Sequence, residues 1–221
     1  MPQTHSRVSA AERRRQILQA ATRLFAQRGF RGTTTRQIAE QVGMNEAILF
    51  RHFPQKEALS WAVIDSKCRA AGGRLQLERE LHSGTNEKRM FAAIAAGFLR
   101  RNTADNTLSR LLLFSALENH RLSHRFFRTY VAEYYEVLAD HIRKRIRAGE
   151  FRRVNPLLAA RGFLGMVVYH FLIQELFGGR RYQKFNTDLV CQTLADIWLE
   201  GMRARGSNHR RRESNRTSRR T

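Results

Sequence analysis

The chain has 221 residues, 42% of them hydrophobic, in keeping with a globular protein that can bury one large or two small cores. A formal charge of +21 and a pI near 11.5 point to a polyanionic partner, with a solvated basic surface as the plain alternative. Two cysteines far apart and without metal-ligand spacing, no apolar signal-peptide core, and no apolar run approaching the roughly 20 residues that cross a bilayer exclude a disulfide scaffold and a zinc module; they predict a reduced, cytoplasmic protein that is neither exported nor membrane-bound.

Residues 1–8 show no hydrophobic periodicity and read as a flexible arm, from which Arg7 could reach a phosphate. Ser9 with Glu12 forms a capping box that starts the first helix, with Ile17, Ala20, Ala21, Leu24 and Phe25 at three- and four-residue spacing until Gly29 stops it. Arg13, Arg14 and Arg15 cluster near its start. The basic excess collects at the ends: residues 1–60 hold 10 Lys/Arg against 4 Asp/Glu, and residues 203–221 hold 8 against 1.

Residues 32–53 carry the densest signal. Thr34 followed by Gln37 is a second capping box, and Ile38, Ala39 and Val42 share one face of a short helix. Gly43 can end that helix, Asn45 can cap the next, and Ile48 and Leu49 turn inward. Two short helices joined by a Val-Gly-Met turn make a helix-turn-helix, whose second helix lies in the major groove when the motif binds DNA. Thr34, Thr35 and Lys56 are then expected to hold the backbone; Arg36, Gln37, Asn45, Glu46, Ala47 and Arg51 to lie nearest the base edges; and Phe50 and His52 to pack against the sugar-phosphate chain.

The segment from residue 14 to 59 resembles the DNA-binding domain of the tetracycline-repressor (TetR/AcrR) family. The shared positions are Phe25, Gly29, Phe30, Thr34, Thr35, Ile38, Ala39, Gly43, Leu49, Phe50, Phe53, Lys56, Glu57 and Leu59. Two departures stand out: the family usually has Tyr at the place of Phe50, whose hydroxyl contacts a phosphate, and Gly or another small residue at the place of Ala47. The resemblance implies an all-α protein: a helix-turn-helix domain at 9–54, then a ligand-binding and dimerisation bundle at 55–202 entered through a connector helix from about residue 55. It also implies a homodimer on a palindromic operator, released by a small-molecule effector.

Pro54 suits the first turn of the connector, which Gly72 and Gly73 interrupt. Beyond a loop at 82–85, apolar stripes run through 90–99, 108–117 and 123–147, the last ended by Arg143, Lys144, Arg145 and Arg147 before Gly149. Asn155 and Pro156 open a helix that is apolar on nearly every side up to Phe177, and a final helix covers about 186–202. The resemblance makes these last two the dimer interface, with Leu164, Val168, Leu172, Leu176, Leu194, Ile197 and Trp198 as candidates, although a monomer core would use the same residues. Candidates for the effector's wall are Phe91, Phe98, Phe114, Phe127, Tyr130, Tyr134, Met166, Tyr169 and His170, which suit an apolar or aromatic effector; Glu118, Tyr130 and His170 could fix its polar end. Packed core is the competing role for each. Residues 203–221 have almost nothing apolar and are expected to form a disordered basic tail.

No phosphate loop, metal-ligand pair or nucleophile motif is present, so no cofactor, metal or catalysis is expected. The expected function is a sequence-specific, ligand-responsive transcriptional repressor; a nonspecific nucleoid-type DNA-binding protein is the alternative.

Overall fold

A computed structural model describes residues 9–118 and 121–204. The expected arm, and all but the first two residues of the expected tail, lie outside the described residues.

The described residues form eleven α-helices: α1 (Ala10–Arg28), α2 (Thr35–Val42), α3 (Glu46–His52), α4 (Lys56–Ala71), α5 (Gly73–Leu81), α6 (Glu87–Ala104), α7 (Thr107–Leu117), α8 (Arg121–Phe126), α9 (Ala132–Arg147), α10 (Pro156–Phe171) and α11 (Thr187–Met202). A π-helical turn, Phe127–Val131, joins α8 to α9, and another, Leu172–Leu176, extends α10. The only extended pairing among the described residues is a single bridge between Phe151 and Arg203, flanked by bonds from Arg152 N to Met202 O and from Ala204 N to Glu150 O. The all-α expectation holds.

The described helices gather into two compact units, α1–α4 with α7 and α8 in one, and α5, α6, α9, α10 and α11 in the other. In the first, Ile17, Leu24 and Phe25 of α1 pack with Ile38 of α2, Leu49 of α3, Leu59 and Ile64 of α4, Leu111 of α7 and Leu122 of α8. In the second, α6, α9, α10 and α11 enclose Phe91, Leu138, Ile142, Phe163, Phe171 and Trp198, with Leu77 of α5 joining them. These units do not coincide with the expected segments 9–54 and 55–202: α4 and α7 pack on α1, and α8 packs on α4 and α7. Periodicity shows which face of a helix is apolar but not which neighbour covers it.

The expected helix over 123–147 is continuous, but its apolar stripe is not. A π turn inserts an extra residue and rotates the stripe, so Phe127 is 44% exposed while Leu138 and Ile142 are fully buried. The stretch Pro156–Leu176 corrects another expectation: with 21 residues and a mean hydropathy of 1.5 over an 18-residue window, it is long and apolar enough by length and composition to cross a bilayer. Polar residues hid this in the sequence, because Arg161, His170, Gln174 and Glu175 break the apolar run, whereas an average over 18 residues tolerates a few of them. Here Phe163, Val167 and Phe171 face the core.

Candidate nucleic-acid interface

The reader is built by its helix ends. Helices of 8 and 7 residues are too short to persist alone, so capping and a few buried contacts must hold them. The Thr34 hydroxyl accepts from Gln37 N at 3.1 Å while the Gln37 side chain accepts from Thr34 N at 3.0 Å. Gly43 takes the left-handed conformation, φ 69° and ψ 41°, that a side chain would resist, and its N–H returns to the last carbonyls of α2. Asn45 Oδ1 then accepts from Ile48 N at 2.9 Å and starts α3. Ile38, Ala39 and Leu49, all essentially inaccessible, fix both helices on α1 and α4.

Thr33 holds the loop ahead of α2. Its buried hydroxyl donates to Gly29 O at 2.9 Å and lies 3.2 Å from Leu24 O, tying the loop to the end of α1. Sequence reasoning missed it because Thr34, its neighbour, carries the recognisable capping pattern. At the same end, a side chain on Gly29, where φ is 72°, would meet Glu118 Oε1 at 2.6 Å and the Phe114 ring. Glu118 also accepts from Arg31 N at 3.2 Å.

Thr34, Arg36, Asn45, Ala47, Phe50 and Arg51 are exposed; Thr35, Gln37, Glu46, His52 and Lys56 are half-buried. Arg36 pairs with Glu40 at 2.8 Å and keeps 80% of its side chain accessible, so a phosphate or guanine could replace that carboxylate. The hydrogen bond that Arg36 donates to Glu40 raises the Arg36 pKa further. The Thr35 hydroxyl donates to the Glu46 carboxylate, a clasp between α2 and the first residue of α3. Lys56 Nζ lies 4.2 Å above the Phe30 ring, and burial lowers its pKa. Arg14, at 4.8 Å over the Phe53 ring, is a further cation beside the end of α3.

The residues expected to line one effector pocket do not meet in one place. Phe114, Glu118 and Phe127 belong to the first compact unit, the remainder to the second. Phe91 is fully buried and packs against Phe163 and Trp198 at 4.9 and 4.4 Å between ring centres, and Phe98 meets Phe171 at 6.0 Å. Tyr130 and Tyr134 are half-buried, and Tyr169 is 66% exposed on the outer side of α10. Met166 faces an open, largely apolar groove of about 580 Å³ between α10 and α11. His170 lines a separate cavity of about 30 Å³ with Thr103, Gln174, Glu175 and Arg180, and burial lowers its pKa.

The expected dimer residues are likewise divided. Leu164 and Trp198 lie in the protomer's own core, with the indole N–H donating to Ala159 O at 3.1 Å. Leu172, Leu176 and Leu194 rest partly against that core, Val168 is half-buried, and Ile197 is 57% exposed. The open face of α10 instead carries Leu158, Gly162, Gly165 and Tyr169, that of α11 Leu189, Ile197 and Gly201. A Cβ added at Gly162, Gly165 or Gly201 would meet nothing within 4 Å.

Comparison with known proteins agrees with the reader's geometry and extends past it. Residues 17–63 match the family model for bacterial regulatory proteins of the tetR family, and residues 89–200 match that for the C-terminal domain of AefR-like transcriptional repressors. The chain belongs to the TetR family. This TetR-family chain is a DNA-binding transcriptional regulator. It is 33% identical over 162 residues to the nucleoid occlusion factor SlmA of Vibrio campbellii, covering 70% of this chain and 80% of that protein. Over 65 residues it is 46% identical to an HTH-type transcriptional repressor of Mycobacterium tuberculosis, covering 29% and 32% of the two chains. Among solved structures, AibR in complex with isovaleryl coenzyme A and operator DNA shares the fold at 23% identity, TM-score 0.64, covering 84% of this chain and 97% of that one.

Proposed function

We propose that this regulator is a homodimeric, ligand-responsive repressor that reads a palindromic operator with α3 in the major groove. The observation that carries the reading is the capped α2–turn–α3 pair, which leaves Arg36, Ala47, Phe50 and Arg51 exposed on two short helices held rigidly from behind. Thr34 and Thr35 serve the phosphates together with Lys56 and Arg14; Arg36, Gln37, Asn45, Ala47 and Arg51 read base edges; Phe50 and His52 pack on the backbone. Glu46, held by Thr35, acts first by setting the angle between α2 and α3. With phenylalanine at position 50 there is no hydroxyl for a phosphate, so the threonines and flanking cations supply more of the backbone grip.

Two copies associate through the open α10–α11 face, where Gly162, Gly165 and Gly201 let a second pair of helices come close. An effector with an apolar body binds in the second unit and favours the state that fits the operator poorly; a ligand with equal affinity for both states would release nothing. AibR, bound to an acyl-coenzyme A, supports a small-molecule effector of that general kind. The role is binding rather than catalysis, and it is performed in the cytoplasm on the chromosome.

Selection of genomic fragments by the purified protein tests the reading and yields the operator. Replacing Arg36 and Arg51 together by Ala is expected to remove preference for the selected site over random DNA while circular dichroism stays helical. Retained preference would defeat the assignment. A second reading, a nucleoid-type DNA-binding protein, is favoured by the +21 charge and by the likeness to nucleoid occlusion factors. Equal affinity for the selected palindrome and random DNA at one salt concentration would support it.

A further inference from the structure

Most cations in the second unit are either paired or exposed. Arg74 bridges Glu78 and Glu133, Arg145 bridges Glu87 and Glu150, and Arg143 meets Asp140 and Glu136. Arg101, near the end of α6, differs. It is half-buried, and among the described residues it has no carboxylate within ion-pair distance. Its hydrogen-bond partner among the described residues is neutral: the guanidinium donates to Gln76 Oε1 on α5. A partly desolvated cation without a counter-charge is costly, and proteins rarely retain one unless something else completes it.

The surroundings of Arg101 are rich in donors. With Gln76 Oε1 already accepting, the Gln76 amide nitrogen remains a donor, and it lies against the bare backbone of Gly97, where any side chain would collide with it. A Cβ at Gly73 would sit 3.8 Å from Arg101 Nη2 and 4.0 Å from Tyr134 Cε2, so arginine and tyrosine flank one strip of α5 that lacks a side chain. The Tyr134 hydroxyl makes no hydrogen bond to another described residue, and burial pushes its pKa up to about 12, so it stays a protonated donor. Burial also lowers the Arg101 pKa, with Arg100 adding to that effect, although the guanidinium remains charged.

We propose that Arg101, Tyr134 and Gln76, converging from α6, α9 and α5, form a receptor for the anionic head, carboxylate or phosphate, of a small molecule. This rests on the ligand-responsive reading and deepens it: the effector with an apolar body proposed above is an amphiphile, and its charged end is held here. The bound anion supplies the counter-charge that Arg101 lacks and accepts from the Tyr134 hydroxyl, and charge-assisted bonds of this kind are the strong ones.

The test uses the full chain labelled with 15N-arginine, with the Arg101 guanidinium signal assigned through R101K. Inorganic phosphate and decanoate are titrated separately, against sodium chloride at matched ionic strength. A saturable shift of the Arg101 signal with either probe supports the site and identifies the head as phosphate or carboxylate. Y134F should weaken that probe by about tenfold, and R101Q should abolish its binding. R101Q should melt no lower than the unliganded parent, because it removes an unpaired cation; a lower melting point with no anion effect would mark Arg101 as purely structural and overturn the proposal. So would shifts with both probes no larger than with chloride. Operator release, followed by fluorescence anisotropy with decanoate and decanol, separates the two readings. Anion binding at Arg101 without release would leave the site standing and sink the effector reading. Release by decanol from parent and R101Q alike would keep an effector and remove this receptor.

Discussion

The α2–α3 reader and the α10–α11 pair are both two-helix devices, but their positions are determined by opposite means. In the reader the buried area is small: Ile38 and Ala39 on α2, Leu49 on α3. Its geometry comes from end groups, the Thr34–Gln37 box, the left-handed Gly43 and the Asn45 cap. In α10 and α11 the caps at Asn155 and Asn186 are equally sound, yet eleven buried residues decide where the helices lie. Caps are local and written in consecutive residues. Faces are relational, and the same stripe can meet a neighbour in its own protomer or a second copy. A helix face left open contributes no burial, so in the short α2–α3 pair the caps carry the geometry, whereas α10 and α11 are long enough to bury one face and leave the other open.

The largest effect that would break this comparison lies on the α10 face. Replacing Gly162 with Arg puts a long side chain where a Cβ meets nothing within 4 Å, so the protomer should keep its fold. If that face pairs two copies, association should weaken by about 1000-fold or more, roughly 4 kcal/mol, and operator binding should fall with it. Sedimentation velocity and thermal melting measure the two quantities separately. An unchanged sedimentation coefficient would move the interface elsewhere.

Leu49→Ala comes next. Leu49 is the single fully buried residue of α3, so its truncation should cost about 2–5 kcal/mol, read in urea unfolding. Affinity for the operator should fall more than that for random DNA, since phosphate contacts survive a misplaced recognition helix better than base contacts do. A loss below 1 kcal/mol would mean that α3 is held by its caps alone.

Thr34→Ala isolates the caps. Removing the hydroxyl that accepts from Gln37 N should cost about 1 kcal/mol, and Thr34→Ser should restore most of it. If Thr34 also serves a phosphate, the alanine variant should bind all sequences more weakly in similar proportion.

These contrasts explain what could be read from the sequence. The capping box at Thr34, the Ser9, Asn45 and Asn155 caps and the break at Gly72 all appear in the structure, because each depends on residues within a turn of one another; at Ser9 only the forward half of the expected box forms, its hydroxyl accepting from Glu12 N. The assignment of α7 to the α1 core depended on contacts such as Arg110 Nε to Ala26 O at 3.1 Å and Glu118 to Arg31 N, 84 and 87 residues apart. No periodicity encodes those. The two π turns were also illegible, since one extra residue in a turn leaves no compositional mark, yet the first sent Phe127 outward. The donor cluster at Arg101 was hidden for the same reason as the α7 contacts: its three side chains come from three helices, and only their assembly shows that no carboxylate of the described residues pairs with Arg101.

The smallest effect concerns another such long-range tie. Lys67 of α4 meets Asp105 just before α7 at 2.6 Å, and that bond, with those from Thr107, lowers the Asp105 pKa to about 2. A carboxyl whose folded pKa lies below its unfolded value of about 3.9 adds stability that is fully present above about pH 4. It is lost as pH falls through about 2, where the folded form also takes up the proton. Half of the aspartate side chain is exposed, so solvent screening should reduce the contribution to a few tenths of a kcal/mol. Asp105→Asn should therefore lower the melting temperature slightly at pH 7 and flatten its decline between pH 4 and 2 relative to the parent. An identical acid slope in both proteins would mean that the α4–α7 tie is energetically silent and that apolar packing alone, Leu111 and Leu122 against Ile17 and Leu59, holds these helices beside the reader.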